Sequence, residues 1–402
     1  MTLISLDGAR ALLLADVTVL PPEQVALGDA LGRTLAEPVR AAHTQPAEPR
    51  ATMDGIAVPD AAPDIAQFWQ VVGDASAGGD SSPPLRAGEA IRIATGAVVP
   101  EGAERVIQQE RLTFSDGMAT LNSAVGGSRF IRAPGADFTC SELLLDRGTR
   151  LNPGALGLAA AANQSSVTVV RPPRVAILTT GDELVGPGSE LKRGQSIDSA
   201  SLMLASLVRG WGGVPLAAAI LPDDSQSITT ALETVCGDSD ILLCIGGASV
   251  GARDLMRPAA QAIGARFLFE GVAVQPGKPC WHARLGDGVL MLGLPGNPTS
   301  AFVCAHLLLR PLIERLVGRP PTPMLRAAFL AAPVPANGNR EQYVRATASF
   351  DHDSRLLAMP LADQDSGLQA NLARAQLLIR RAAGATPLEG GARVDVLDLT
   401  TN

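Results

Sequence analysis

Between Arg174 and Gly318, short apolar runs of strand length alternate with longer amphipathic stretches. RVAILTTG, VPLAAAIL, DILLCIGG and GVLMLGLPG read as buried strands. SASLMLASLVRGWG, SQSITTALETVC, RDLMRPAAQAIG and PTSAFVCAHLLLRPLIERLVG read as helices, because their apolar positions recur at helical spacing. Strands alternating with helices imply a doubly wound sheet with right-handed crossovers. Ligands of such sheets sit at the carboxyl ends of the strands, at the switch point.

The flanks have another rhythm. Leu6, Ala9, Leu13 and Val17 keep helical spacing up to the Pro21-Pro22 break, so residues 1–42 read as helical. From Pro46 to Asp137, runs such as FWQVVG, AIRIATGAVV and ERVIQQE lie between Gly/Pro/Ser turns, as in a small all-β module. Residues 139–170 return to an Ala-rich helical pattern. Pro320 to Pro323 is a stiff linker, followed by short strands. The expected division is a discontinuous helical domain (1–42 and 139–170), an inserted β module (43–138), an α/β domain (171–320) and a C-terminal β domain (321–402).

Composition narrows the function classes. Hydrophobic residues make up 46% and charged residues 18%, which excludes a disordered chain. A net charge of -7 argues against a phosphate-backbone binder, and 3% aromatics argue against base stacking. No nucleic-acid partner is expected. The five cysteines are scattered and never form a CxxC pair, the pattern of buried free thiols in a reducing compartment. The first residues have no basic n-region, and the longest candidate apolar run, Ala301 to Leu309, ends at Arg310-Pro311. Neither a signal peptide nor a membrane span is expected, and the location expected is cytoplasmic.

Each strand of the α/β stretch is followed by a polar or glycine-rich loop: TTGDEL (179–184), PDD (222–224), GGASVGARD (246–254) and GLPGNPTS (293–300). All four should reach one edge of the sheet. The glycines of GGASVG let backbone N–H groups turn toward an anion. Asn297 can cap a helix whose first residue is Pro298, a second positive end for phosphate. Glu183, Asp223 and Asp254 among phosphate sites make sense if Mg²⁺ lies between them. Singly, each motif is an ordinary turn or cap; together, in order, they describe a site. A dinucleotide fold is not indicated, since no GxGxxG opens the first turn. PGKP (276–279) is no P-loop, the four histidines lack zinc spacing, and there is no GxSxG elbow.

The chain resembles the molybdopterin molybdenumtransferases, the MoeA and gephyrin E-domain family, over nearly its whole length. MDGIAV (53–58), GEAIRIATGAVVPEGAERVIQQE (88–110), IRAPGADF (131–138), TTGDEL, GQSIDS (194–199), GGASVGARD, VQPGKP (274–279), LPGNPTSA, YVRA (343–346) and QDSG (364–367) follow in that family's order. The resemblance implies a homodimer whose cleft combines the α/β domain with parts of the other subunit. It implies hydrolysis of adenylylated molybdopterin with release of AMP, insertion of molybdate and a need for Mg²⁺. It assigns Asp54, Asp137, Glu183 and Asp254 as catalytic acids, with Glu183, Asp223 and Asp254 holding the metal. Thr95, Asp223, Gly246, Gly247, Ser249, Gly251, Lys278, Pro295, Gly296, Asn297, Pro298, Ser300, Arg345 and Ser366 would bind substrate. An adenylyltransferase or a client molybdoenzyme is the further partner it suggests.

The chain departs from the pattern at Ile56, Ile245 and Ala200, and most where many members carry basic residues, at Gly271 and Gln275. Two missing cations near molybdate weaken dianion binding, at ~1.5–3 kcal/mol per charge-assisted contact. Arg266 and Arg253 are the candidates to compensate. The competing classes are a non-catalytic molybdopterin carrier for a molybdoenzyme and a different Mg²⁺-dependent hydrolase of nucleotide-diphosphate ligands. A partly buried acid such as Asp54 or Asp137 is the expected proton source.

Overall fold

The computed structural model describes residues 3–79, 82–246, 255–286, 288–320 and 325–400. Gly247, Ser249, Gly251, Arg253, Asp254 and the linker prolines Pro321 and Pro323 lie outside the described residues.

The α/β part has a six-stranded sheet whose order, by strand, is Val214–Leu221, Arg174–Thr180, Ile241–Ile245, Val289–Leu294, Trp281–Leu285 and Arg266–Glu270. The first four are parallel and the last two join through antiparallel ladders. Alternate residues of each strand face opposite sides. Val175, Ile177, Leu243 and Ile245 pack with the helices Ala200–Gly210, Pro298–Cys304 and Arg310–Leu316. Ala176, Leu178, Leu242 and Cys244 pack with Ser225–Cys236 and Met256–Ala262. Both faces are therefore covered, which is why these strands are apolar throughout. The Trp281–Leu285 and Arg266–Glu270 strands have no counterpart in the expected alternation. They enter as an antiparallel pair without a crossover helix, so the βα rhythm that reveals the others is silent there.

The helical reading of the flanks holds only for Leu6–Leu14 and Pro153–Ala161. Ser5 caps the first helix by accepting from the Gly8 amide at 3.1 Å. That helix buries Leu6, Ala9 and Leu13 against the α/β core beside Leu312 and Ile313. The rest of the two segments pairs as antiparallel strands: Pro22–Ala26 with Ser166–Val170, and Val39–Arg40 with Leu143–Leu145. Periodicity missed these pairs because each strand is short and its partner lies more than a hundred residues away in the chain.

Between those segments lies a six-stranded sheet ordered Arg105–Gln108, Gly55–Val58, Glu89–Ile93, Phe68–Ala75, Met118–Leu121 and Leu112–Ser115. A Cβ on Gly55 would lie 1.8 Å from the Ile107 carbonyl oxygen, so only glycine fits at the start of its strand. The C-terminal strands close into a β-barrel, in which Glu341–Phe350 pairs with both Leu356–Pro360 and Leu377–Arg381. A two-residue strand of the α/β part, Val274–Gln275, adds to that barrel by pairing in parallel with Glu341 and Gln342.

Candidate functional site

The carboxyl ends of the four parallel strands lie level: Thr180 is opposite Leu221, Thr179 opposite Ile245, and Ile245 opposite Leu294. Their loops touch through glycine. Gly246 has φ +84°, and a Cβ there would come 2.8 Å from the Thr180 carbonyl oxygen. A Cβ on Gly296 would come 3.2 Å from the Cα of Gly246. Side chains join the other two loops, since Asp182 Oδ1 accepts from the Asp223 amide at 3.0 Å. The Glu183 carboxylate folds over Gly181, whose Cβ position is 2.9 Å from both carboxylate oxygens. Glu183 and Asp223 are both exposed on this edge.

The last loop differs from expectation in its chemistry. Asn297 does occupy the position before the helix that Pro298 opens. Its side chain makes no capping bond; Nδ2 donates to Ser366 Oγ at 2.8 Å, and Oδ1 is buried without a partner among the described residues. The loop is thus tied to the barrel. Pro295 and Ser300 are buried, and Gly296 is exposed.

Beside this edge, the α/β part and the barrel enclose a cavity of about 300 Å³. Gln275, Lys278, Ser300, Arg340, Arg345 and Ser366 are among its lining, which contains three cations and, among the described residues, no acid. Arg345 is 3% exposed. Its amide and Nε donate to Gln364 Oε1 at 2.9 and 3.3 Å, and both terminal nitrogens donate to the Asp365 carbonyl at 3.1 Å. Burial lowers its pKa, and the charges of Asp363 and Asp365 offset part of that. Gly277 has φ +125°, and a Cβ there would lie 2.4 Å from Cys304 Sγ, so the PGKP turn sits directly on the helix below.

A second group lies in the N-terminal β sheet. Asp54 Oδ1 accepts from the Thr95 amide at 2.6 Å and from its hydroxyl at 2.8 Å. The Thr95 amide first, and its hydroxyl second, hold the Asp54 carboxyl below its ordinary value. Asp54 and Asp137 are both exposed, not partly buried, and an acid held ionised is a poor proton donor. Thr95, Arg50, Arg132 and Asp137 line a cavity of about 710 Å³. This cavity shares no lining residue with the one beside Lys278. Within one chain the structure therefore keeps Asp54, Thr95 and Asp137 apart from the cluster holding Ser300, Arg345 and Ser366. In a carboxyl titration followed by NMR, we expect Asp54 to titrate below about pH 3.9. Thr95→Val should raise that midpoint only in part, because the amide remains; a midpoint unchanged by Thr95→Val would remove the hydroxyl as a cause.

Several sequence expectations need correcting. Arg266 starts its strand at the amino edge of the sheet, opposite Arg284. Both line a cavity with Asp240, at the far end from Gln275. A strand of five residues spans roughly 17 Å, so Arg266 cannot supply charge near PGKP. Cysteines 244, 280 and 304 are buried thiols, but Cys140 is exposed and Cys236 half-buried. Of the three acids expected to hold a metal, Glu183 and Asp223 are exposed on the strand edge, and Asp254 lies outside the described residues. Residue patterning also missed a buried polar chain under the first strand end: Thr179 Oγ1 lies 2.7 Å from Ser201 Oγ, and Asp198 accepts from the Ser201 amide at 3.1 Å. Its one signal was the Asp-Ser pair in GQSIDS.

Residues 4–163 match the MoeA N-terminal region (domain I and II), residues 176–315 the "Probable molybdopterin binding domain", and residues 327–399 the MoeA C-terminal region (domain IV). The molybdopterin molybdenumtransferase of Bacillus subtilis is 32% identical over 386 residues, covering 93% of this chain and 89% of that protein. Molybdopterin molybdenumtransferase 2 of Mycobacterium tuberculosis is 33% identical over 345 residues, 83% of this chain and 84% of its own. A crystal structure of the molybdopterin biosynthesis MoeA protein of Pyrococcus horikosii superimposes with a TM-score of 0.82 at 28% identity, over 99% of both chains.

Proposed function

Because this chain belongs to the molybdopterin molybdenumtransferase family, a family of transferases in molybdenum cofactor biosynthesis, we propose that it inserts molybdate into adenylylated molybdopterin and releases AMP. The observation that carries this reading is the cavity holding Lys278, Arg340 and Arg345, with no acid among its described lining residues, set beside the level carboxyl ends of the parallel strands. A dianion needs positive groups or oriented N–H donors, and the cavity supplies both kinds.

The other residues divide by position. Asn297, Pro298 and Ser300, with the undescribed Gly247, Ser249 and Gly251, would hold the pterin phosphate at the strand ends. Glu183 and Asp223, with Asp254, are oxygen donors of the kind Mg²⁺ takes, and the bound ion would offset pyrophosphate charge. Asp54 positions the Thr95 turn through the Thr95 amide and hydroxyl, and Asp137 lines the cavity beside that turn. A homodimer would bring the Asp54 cluster of one subunit to the strand edge of the other, answering the separation of the two cavities. Free thiols fit a cytoplasmic location. No helix among the described residues is long and apolar enough to cross a membrane.

The test is an assay with adenylylated molybdopterin, Mg²⁺ and molybdate, following AMP and metal-bound cofactor. We expect molybdate-dependent AMP release, lost in Asp54→Ala and in Asp223→Ala, and partly restored when those two inactive variants are mixed. Tight ligand binding without turnover, or AMP release indifferent to molybdate, would overturn the transferase reading. Mixed variants that stay inactive would overturn the shared cleft.

A further inference from the structure

We infer that the cavity at the amino edge of the α/β sheet is a second ligand site, which takes a small organic phosphate monoester between Arg266 and Arg284. It shares no lining residue with the cavity beside Lys278, lies at the opposite sheet edge, and does not depend on the transferase reading.

The sheet sets two cations side by side. Arg266 is the register partner of Arg284 on the antiparallel neighbour, so both side chains leave the same face. Like charges directly opposite each other are unfavourable in a sheet, and no described acid relieves this pair. Asp240 is engaged elsewhere: it accepts from the Arg171 guanidinium at 2.8 and 2.9 Å and from the Arg174 amide at 2.7 Å. Asp16, the other acid of the described lining, is exposed and forms no described ion pair; Asp287 lies outside the described residues. Arg266 is exposed and makes no described hydrogen bond. Arg284 gives one terminal nitrogen to the Ala15 carbonyl at the end of the first helix. Its Nε is buried without a partner among the described residues, and a buried donor left unpaired is costly. An oxyanion bridging the two guanidiniums answers both the repulsion and the missing bond.

Volume and wall chemistry narrow the ligand class. At about 630 Å³ the cavity falls within the ~300–1,000 Å³ of small-molecule sites. Val17, Leu20 and Leu316 give it an apolar wall, fixed by the bond from the Leu20 amide to the Leu316 carbonyl at 2.8 Å. Gly264 and Gly286 also line it, and a Cβ on either would meet nothing within 4 Å, so these turns leave the volume open. Adjacent cations favour a group that carries close to two negative charges. A phosphate monoester does so near neutral pH and a single carboxylate does not. The apolar wall takes the organic part.

Phenyl phosphate is the probe, titrated into the full chain and followed by the arginine Nε–H resonances in NMR spectra. We expect the Arg266 and Arg284 resonances, each identified by its loss in a Gln variant, to move together on one binding curve. In Arg266→Gln the Arg284 resonance should report binding roughly 10- to 100-fold weaker. Thr18→Glu keeps both arginines and adds an acid to an exposed lining position; it should weaken binding to a similar degree. Benzoate, the same ring with one charge, should bind about 10-fold more weakly than phenyl phosphate. Resonances that stay still, or wild-type affinity in either variant, overturn the site. Equal affinity for benzoate overturns the phosphate class. Molybdate-dependent AMP release should persist at the wild-type rate in Arg266→Gln, and its loss there would overturn the separation of the two sites.

Discussion

Lowering the pH from 7 to 4 should cost about 3 kcal/mol of stability at each of two buried histidines, His282 and His306. Burial pushes both down from 6.5 to about 4, hydrogen bonds to the Met291 and Phe302 carbonyls pull the other way, and the charges of Arg284 and Arg310 add to the depression. His282 sits in the central sheet with Nδ1 2.8 Å from the Met291 carbonyl oxygen. His306 lies between the Phe302 and Trp211 rings, with centroids 4.4 and 5.0 Å away. Both remain neutral in the fold while the unfolded chain takes up protons below about pH 6.5. Their contribution is therefore whole above pH 6.5 and is lost as the pH falls toward 4. Urea midpoints measured across that window should fall, and the slope should flatten in a His282→Asn/His306→Asn variant, whose amides can still donate to the same carbonyls. A slope identical in that variant would mean the histidines are not its source.

Gly293→Ala should destabilise the α/β part by about 3 kcal/mol. Gly293 is the register partner of Trp281 on the adjacent strand. The indole lies flat over it, so a Cβ would fall 2.0 Å from the indole Cε2 and Nε1. Trp281 is fully buried, 5.2 Å from the Phe267 ring and inside the core that holds Met291 and Met256. The ring has nowhere to retreat without displacing that core. A glycine covered by a cross-strand aromatic is a recurrent sheet device, and here it also sets the end of the strand leading to Pro295 and Asn297. We expect a lower urea midpoint and an altered Trp281 fluorescence, with the loss in midpoint relieved in a Trp281→Leu background. A wild-type midpoint in Gly293→Ala would falsify this packing account.

Much of the α/β part was legible in the sequence, because strands such as RVAILTTG and DILLCIGG are apolar on both faces and helices such as SQSITTALETVC keep one apolar stripe. The level strand ends followed from the same alternation, and with them the placement of Glu183 and Asp223. What escaped was antiparallel pairing: the Trp281–Leu285 and Arg266–Glu270 pair, and the short ladders that tie residues 22–40 to 143–170. Those depend on distant partners, which periodicity does not register. Side-chain roles escaped for a related reason. Asn297 reads as a cap by type and position, yet its amide reaches Ser366, sixty-nine residues away in the chain. Arg266 looked near PGKP along the sequence and lies at the opposite sheet edge.

The parallel pairing of Val274 and Gln275 with Glu341 and Gln342 has a mechanical consequence. The barrel is not an appendage on a tether: its edge is stitched to the segment that leads into the PGKP turn. A chain cut before the barrel would leave that segment's backbone without its ladder, and the anion cavity would lose a wall and its anchor together. Any swing of the barrel must therefore shear two backbone pairs, so opening the cavity and loosening Lys278 become one motion.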